Sequence, residues 1–445
     1  MIEFIIKLVL VYLSIGEILK TRLIAKRFTF LDFNYASMMT LGDRFAKVLM
    51  EVGVPQFVLQ QTQNFGKVLK FTSRSLNKPL RKSLFDFLLV RHDILKCVHT
   101  LILNGLDVKD VSKLEHIHTL DLQLTKVEDV SKLGRVHTLK LCCTKVTDVS
   151  ALGCVYDLNL SGTKVSDVST LGTTKCNFLN CTYQARNLFH THIHTLALSY
   201  TKITNVTGLG YIHTLNLSNT EVADVSALSS VKCNILKCVY QECNILHTHI
   251  HNLNLSGTRV ADVSGLGNVH TLNLDRTQVE DVSSLGIVGC LDKECKWSSY
   301  HSANHDVSLC NTWVKHVTTL KYVHILNLGF TKVKDANELA SVQCNLTRCA
   351  YRSSEKMHTH IHHLNLKSTD VADVSALGNV SSLDLSFTEV VDVSNLSNVH
   401  KLVLDNTRVS DVSMLTGTRI LTILGTHVTD ISSISKTCPS IKWSP

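Results

Sequence analysis

The stretch VHTLILNGLDVKDVSKLEH, Val98 to His116, runs without a gap into IHTLDLQLTKVEDVSKLGR (117–135), VHTLKLCCTKVTDVSALGC (136–154) and VYDLNLSGTKVSDVSTLGT (155–173). Four copies in register, nineteen residues apart, outweigh every other feature of the chain. The unit restarts at Ile193, Ile212, Ile250, Val269, Asn304, Val323, Ile361, Val380, Val399 and Thr418, making fourteen recognisable copies, of which those at Asn304 and Thr418 are worn. A unit this short cannot bury its apolar side alone, whereas stacked copies can, so the period reads as a solenoid.

Within a unit the apolar positions are the first, fourth, sixth, eleventh, fourteenth and seventeenth, as in Ile117, Leu120, Leu122, Val127, Val130 and Leu133. The L-x-L piece has the period of two that sends alternate strand side chains inward, and the following spacing of three suits a tight 3₁₀-like turn. Thr at the ninth position (Thr125, Thr144, Thr163 and onward) can turn its hydroxyl inward to satisfy backbone groups where the chain leaves the strand. Asp at the thirteenth (Asp129, Asp148, Asp167) is placed to cap the D-V-S-x-L turn through its free N–H groups.

The pattern L-x-L-x-x-T-x-V-x-D-V-S-x-L resembles the leucine-rich repeat, with Thr at the Asn/Cys position, and is most similar to the short repeats that close on D-I-S-x-L. The resemblance covers about three quarters of the chain. It implies an α/β solenoid with a parallel sheet on the concave face and a 3₁₀ or irregular convex side, here preceded by a small all-α segment. The repeat array is expected over 98–436, with 437–445 as the C-terminal end, where KTCPSIKWSP breaks the pattern and closes it.

Four stretches of about one unit separate the regular copies: 174–192, 231–249, 288–303 and 342–360. Each carries C-x4-C, as Cys176 and Cys181, Cys233 and Cys238, Cys290 and Cys295, Cys344 and Cys349. Shifted by one residue, C-x-I-x-x-C-x-Y maps onto L-x-L-x-x-N/C-x-L, so the thiols read as small core hydrophobes of variant coils. Counting these coils gives about 18 units and, at ~4.8 Å per strand, a ladder of about 85 Å. The third copy, with Asp292 in its strand and three residues missing, reads as a distorted coil. Zinc is the sharper alternative, because C-x4-C-x8-H-x-H recurs three times with His190 and His192, His247 and His249, His358 and His360. The missing H-T-H in the third copy and the inward-facing thiols weigh against it, and neither metal nor cofactor is expected.

Position two is His in most units (His99, His118, His137, His194, His213, His251, His270, His324, His362, His400), which stacks imidazoles along one solvated rim. Adjacent imidazolium charges repel, so such a column resists full protonation. No Ser/His/Asp arrangement, phosphate-cradling glycine loop or paired-carboxylate helix stands out, and the chain does not read as an enzyme.

The amino-terminal fifth differs. Residues 1–97 hold 15 Lys and Arg against 7 Asp and Glu, while the remaining 348 hold 30 of each, so the whole formal charge of +8 sits there. MIEFIIKLVLVYL is too short an apolar run to span a bilayer and lacks the basic start and cleavage site of a signal peptide. The fifteen cysteines therefore read as reduced and intracellular. Ile15, Ile18, Leu19, Leu23 and Ile24 fall at helical spacing behind a Ser14–Glu17 capping box. The run from Tyr12 to Phe28, Y-L-S-x-x-E-I-L-x-x-R-L-x-x-K-R-F, is similar to the F-box, departing from it at the start, where the opening Leu-Pro is missing. An F-box-like helical domain is thus expected over 1–48. A helical linker and cap follow over 49–97, from FGKVLKFTSRSLNK and PLRKSLFDFLLVRHDILK.

An F-box before leucine-rich repeats resembles the substrate-recognition subunits of cullin-type ubiquitin ligases, and large DNA viruses carry proteins of this look. The resemblance implies a non-catalytic adaptor bound to a Skp1-like partner through Leu13, Ile18, Leu19, Leu23 and Ile24, with Arg22, Lys26 and Arg27 facing acidic groups. A protein target would lie on positions five, seven and eight of the sheet, at Asp121, Asn216, Asn254 and Asp275, with Tyr200, Arg276, Phe330 and Phe387 as the anchor types. No small-molecule substrate, nucleic acid or membrane is expected. Near-identity of many coils argues against a finely tailored surface. A stand-alone scaffold with no ubiquitin role and a zinc-loaded array remain the alternatives.

Overall fold

The computed structural model describes residues 39–40, 69–71, 78–90, 95–96, 98–172, 193–229, 250–286, 288–290, 301–302, 306–342 and 361–444. The chain divides into two compact units, Met1–Val146 and Thr147–Pro445.

In the first unit the strands are β1 (Met39–Thr40), β2 (Leu69–Phe71), β3 (Val98–Ile102), β4 (Thr119–Asp121) and β5 (Thr138–Lys140), with helix α1 (Lys78–Val90) between β2 and β3. They pair in parallel in that order. Two expectations are corrected here. FGKVLKFTSRSLNK is not wholly helical, because Leu69–Phe71 is a strand on the edge of β3, and the two described residues of the supposed all-α segment, Met39–Thr40, pair with it in turn. The physical reason is the open edge of the first coil, whose N–H and C=O groups recruit extended backbone more strongly than local propensity holds a helix. Helix α1 does form in PLRKSLFDFLLV and buries Phe85 and Leu88.

The second unit contains β6 (Asp157–Asn159), β7 (Thr195–Ala197), β8 (Thr214–Asn216), β9 (Asn252–Asn254), β10 (Thr271–Asn273), β11 (Val288–Cys290), β12 (His301–Ser302), β13 (Asp306–Ser308), β14 (Ile325–Asn327), β15 (His363–Asn365), β16 (Ser382–Asp384), β17 (Lys401–Val403), β18 (Ile420–Ile423) and β19 (Ser440–Trp443). All but β11 and β12 form one parallel ladder in chain order.

The register corrects the coil count. Asp157 pairs with Thr195, Thr214 with Asn252, Thr271 with Asp306 and Ile325 with His363. Each pair brackets one cysteine stretch, so the strands on either side of it are hydrogen-bonded to each other and no rung stands between them. In the second unit the ladder is built from the ordinary units alone, without the four cysteine coils that the count of 18 included. At the third stretch Val288–Cys290 pairs antiparallel with His301–Ser302, a ribbon of its own and not a distorted coil of the ladder. Identical L-x-L strands bond to each other better than to a C-x-I variant, because the alternation and the turn chemistry match on both sides. The side chains of the C-x4-C and H-x-H motifs lie outside the described residues.

The six apolar positions behave as read. Ile117, Leu120, Leu122, Val127, Val130 and Leu133 are 0–2% exposed, and every regular coil repeats this core. At ~1.5–3 kcal/mol per buried aliphatic side chain, the stacked core supplies most of the drive for folding. Short 3₁₀ turns such as Ser150–Cys154, Thr318–Tyr322 and Ser394–Leu396 occupy the return segment. At the far end the pattern breaks in sequence, yet Ser440–Trp443 adds a strand to Ile420–Ile423, with Cys438 buried and Trp443 Nε1 donating to the Val428 carbonyl.

Candidate functional site

The solvent face of the sheet is set by how each coil leaves its strand. The ninth-position hydroxyl donates to the carbonyl of the sixth residue, as Thr125 to Leu122, Thr220 to Leu217 and Thr331 to Leu328, each at 2.6 Å, and these threonines are buried. Position eight, just before, is left-handed in every such turn: Leu124, Cys143, Tyr200, Asn219, Arg276, Asn311, Phe330, Ser368, Phe387 and Asn406 have φ between 54° and 60°, and Gly105, Gly162, Gly257 and Gly425 fill the same place. Glycine and asparagine suit that conformation, whereas a ring or a long side chain bears a cost of about 1–2 kcal/mol. Tyr200, Arg276, Phe330 and Phe387 bear it while exposed, the two phenylalanines by 48% and 53% and the tyrosine by 69%. The same conformation holds exposed Leu124, so it belongs to the turn of every coil, and these side chains are carried outward by it.

The other four candidates do different work. Asp121, Asn216 and Asn254, at position five, are half-buried and accept the backbone N–H two residues on, from Gln123, Ser218 and Ser256, at 3.0–3.1 Å. Asp275 Oδ1 accepts both the Ser308 hydroxyl at 2.5 Å and the Cys310 N–H at 2.8 Å, tying two coils together. These carboxyl and amide oxygens shape the turn and are already engaged, so they are framework more than contact surface.

The structure gathers only part of the anchor set. Phe330 and Phe387 lie two rungs apart with Lys367 between them: the Phe330 N–H donates to the Lys367 carbonyl at 2.8 Å, and Lys367 Nζ sits 5.4 Å from the centre of the Phe387 ring. Tyr200 is five rungs from Phe330, about 24 Å of ladder at ~4.8 Å per strand, and Arg276 lies in between. Lys367 was legible as an outward residue, but its stacking on Phe387 follows only from rung order.

The thirteenth-position carboxylates cap the next turn, as in Asp129 accepting from the Ser131 N–H and Asp392 from the Ser394 N–H. That backbone bond, then the Ser hydroxyl, holds Asp110, Asp129, Asp167, Asp224, Asp262, Asp281, Asp373, Asp392, Asp411 and Asp430 below the usual carboxylate range. Cys142 and Cys143, at positions seven and eight of one unit, place their sulfurs 3.4 Å apart.

No protein-family model matches the chain, and no curated protein sequence does. Among solved structures, an internalin (inlF) from Listeria monocytogenes is similar over 87% of this chain and 94% of its own, at 17% identity and a TM-score of 0.50. A leucine-rich-repeat protein from Leptospira interrogans covers 94% of this chain and 98% of its own, at 14% identity and a TM-score of 0.49. With the nineteen-residue period, the L-x-L rungs and the internalin likeness together, the architecture is settled. The fold is a leucine-rich-repeat solenoid.

Along one edge of the leucine-rich-repeat sheet the second-position rings stack. His99 on His118 and His118 on His137 have centroids 4.3 and 4.4 Å apart in the first unit. In the second, Tyr156 stacks on His194 at 5.1 Å and His194 on His213 at 4.4 Å, while His251 meets His213 at 4.3 Å with its ring tilted by 39°. In His99, His118, His137, His194 and His213 the Nδ1 atom meets the hydroxyl of the following threonine, as His118 with Thr119 at 3.2 Å. The expected solvated rim is corrected in part: His251, His324 and His362 are buried, and His324 meets His362 edge-on at 78°. Burial, then Lys401, pushes the neighbouring His363 below the usual imidazole value. The adaptor-facing candidates Leu13, Ile18, Leu19, Arg22, Leu23, Ile24, Lys26 and Arg27 lie outside the described residues. Among the described residues no helix is long and apolar enough to cross a membrane.

Proposed function

We propose that this leucine-rich-repeat protein is a non-catalytic scaffold that binds a protein partner on the solvent face of its sheet. The observation that carries this reading is the left-handed column at position eight, which places Tyr200, Phe330 and Phe387 in a strained conformation and exposes them. Aromatic anchors on a rigid, repetitive sheet give a partner large contact area at little entropic cost. The Phe330–Lys367–Phe387 cluster is the proposed centre, with Tyr200 and Arg276 as outlying contacts. The test is to cross-link the full chain to its partner, identify it, and measure binding of purified components. Phe330→Ala with Phe387→Ala should weaken binding at least tenfold without changing the circular dichroism spectrum. Unchanged affinity in the double variant would overturn the reading.

A narrower reading rests on the Tyr12–Phe28 run alone. Its similarity to the F-box supports an adaptor role in protein ubiquitylation, in which Leu13, Ile18, Leu19, Leu23 and Ile24 bury apolar surface against a Skp1-like partner and Arg22, Lys26 and Arg27 face its acidic groups. Co-purification of the full chain with Skp1 tests it. Binding that is absent, or indifferent to Leu19→Asp, leaves the stand-alone scaffold. Zinc analysis of chelator-free protein separates the zinc-loaded alternative, which requires about one ion per chain or more.

A further inference from the structure

Cys142 and Cys143 stand where other units place Gln123 and Leu124, or Ser199 and Tyr200. Residues adjacent in a strand send their side chains to opposite faces, but the left-handed turn at Cys143, φ 57°, brings both sulfurs to one side. They lie 3.4 Å apart, Cys143 exposed and Cys142 half-buried, both as free thiols. The frame around them is tied down: Leu124 N–H donates to the Cys142 carbonyl at 2.9 Å, and Thr144 donates its N–H and its hydroxyl to the Leu141 carbonyl at 3.1 and 2.7 Å.

Direct oxidation of the pair to a disulfide is opposed by this geometry. Adjacent α-carbons are ~3.8 Å apart across a trans peptide, inside the ~4.4 Å lower limit of ordinary disulfides. Joining the sulfurs would twist a peptide whose neighbours are held in the ladder. A single larger atom between them asks for no such twist. With bonds of about 2.3 Å from each sulfur, the length thiolates make to a soft ion, a 3.4 Å separation subtends about 95° at the bridging atom. That angle fits a pyramidal trivalent centre and falls short of the tetrahedral angle zinc prefers. No group of three or more His, Cys, Asp or Glu able to hold a metal ion occurs among the described residues.

We propose that Cys142 and Cys143 form a bidentate site for trivalent arsenic compounds of the organic arsenoxide type. Both thiols add to the arsenic, their two protons leave with the oxide oxygen as one water, two As–S bonds replace the As=O bond, and arsenic stays trivalent, so no oxidant is needed. Burial, then the neighbouring Cys143 and Asp121, pushes the Cys142 thiol up to about 11, so the exposed Cys143 bonds to arsenic first and Cys142 closes the ring. The site opens on the sheet's solvent face beside Leu124, itself 62% exposed, so a captured organic group covers that part of the face.

The test uses the reduced full chain with one equivalent of phenylarsine oxide, followed by alkylation, trypsin and mass spectrometry of the peptide Leu141–Lys145, which separates this pair from the other thirteen cysteines. The expected product is one phenylarsenic group across both sulfurs with neither alkylated. Saturation should come at a concentration at least about a hundredfold lower than for Cys142→Ser or Cys143→Ser, the usual gain from a second linked contact. Cys143→Gly, which supplies the residue that Gly105 and Gly162 place in the same turn, guards against loss of folding and should lose the adduct equally. Alkylation of both sulfurs in the presence of the arsenoxide, or equal saturation of the single-cysteine variants, would overturn the proposal. So would preferential closure to a disulfide when glutathione disulfide is added.

Discussion

The Thr331 hydroxyl donates to the Leu328 carbonyl at 2.6 Å, and both residues are buried. The Thr331 N–H reaches the same oxygen at 3.2 Å, so one carbonyl anchors the exit from the strand twice. Thr331→Val keeps the shape and removes the hydroxyl. An expected loss of about 1–2 kcal/mol follows from one buried acceptor left half-satisfied. Thr331→Ser should recover most of it. Urea unfolding followed by circular dichroism measures both, and equal midpoints for wild type and Val would show that the hydroxyl contributes nothing.

Position eight separates strain from binding. Tyr200→Asn replaces a ring by a residue that accepts the left-handed conformation, so stability should hold or rise by up to about 1 kcal/mol. Tyr200→Val places a β-branched residue at positive φ and should cost about 1–2 kcal/mol. Both remove the ring from the sheet face. Thermal unfolding of the two variants side by side tests this; a Val variant as stable as Asn contradicts the assigned backbone.

The thirteenth-position aspartates predict how stability responds to acid. The folded state holds Asp373, Asp392 and Asp411 below the ordinary carboxylate value, chiefly by the backbone N–H bond each accepts. A depressed folded value stabilises above the unfolded value of ~3.9, and that contribution disappears as pH falls through the folded value. The apparent urea midpoint should therefore drop from pH 5 towards pH 2. The triple Asp→Asn variant keeps an acceptor oxygen but not the charge, and should show a shallower slope; an unchanged slope would assign the acid response elsewhere.

The pairing of Asp157 with Thr195 across residues 174–192 predicts that this stretch can be removed without breaking the ladder. In a chain joining Thr173 to Ile193, the His194 N–H, which donates to the Tyr156 carbonyl at 2.8 Å, should stay protected from hydrogen exchange. Fast exchange at that amide in the shortened chain would show that the stretch is needed for the rung.

Leu328 is 0% exposed within the stacked core. Leu328→Ala should cost about 2–5 kcal/mol by lost burial and the cavity left behind. Because neighbouring coils are coupled, the loss should appear first in the exchange of amides on the adjacent rungs at Ser308 and Asn365. Uniform loss over the second unit would instead mark it as a single cooperative block.

Much of the site was within reach of the sequence in principle. Gly105, Gly162, Gly257 and Gly425 share a column with Asn219, Asn311 and Asn406, the residue types that tolerate positive φ, so the left-handed turn could have been read from the alignment of units. The engagement of Asp121, Asn216 and Asn254 in their own turns was harder to see, since an outward strand position looks the same whether its side chain faces solvent or folds back.

The nineteen-residue period by itself determined the solenoid, the six buried positions, the threonine exit and the aspartate cap, because each depends on residues close in sequence and repeats with them. Only the tertiary structure decided which units are neighbours. A rung bonds to whichever strand matches its pattern best, and here that strand lies beyond the cysteine stretch, as Asp157 to Thr195 and Ile325 to His363 show. It likewise decided that an extended piece at Leu69–Phe71 covers the edge of the first coil, since an unpaired sheet edge outweighs the local preference for helix.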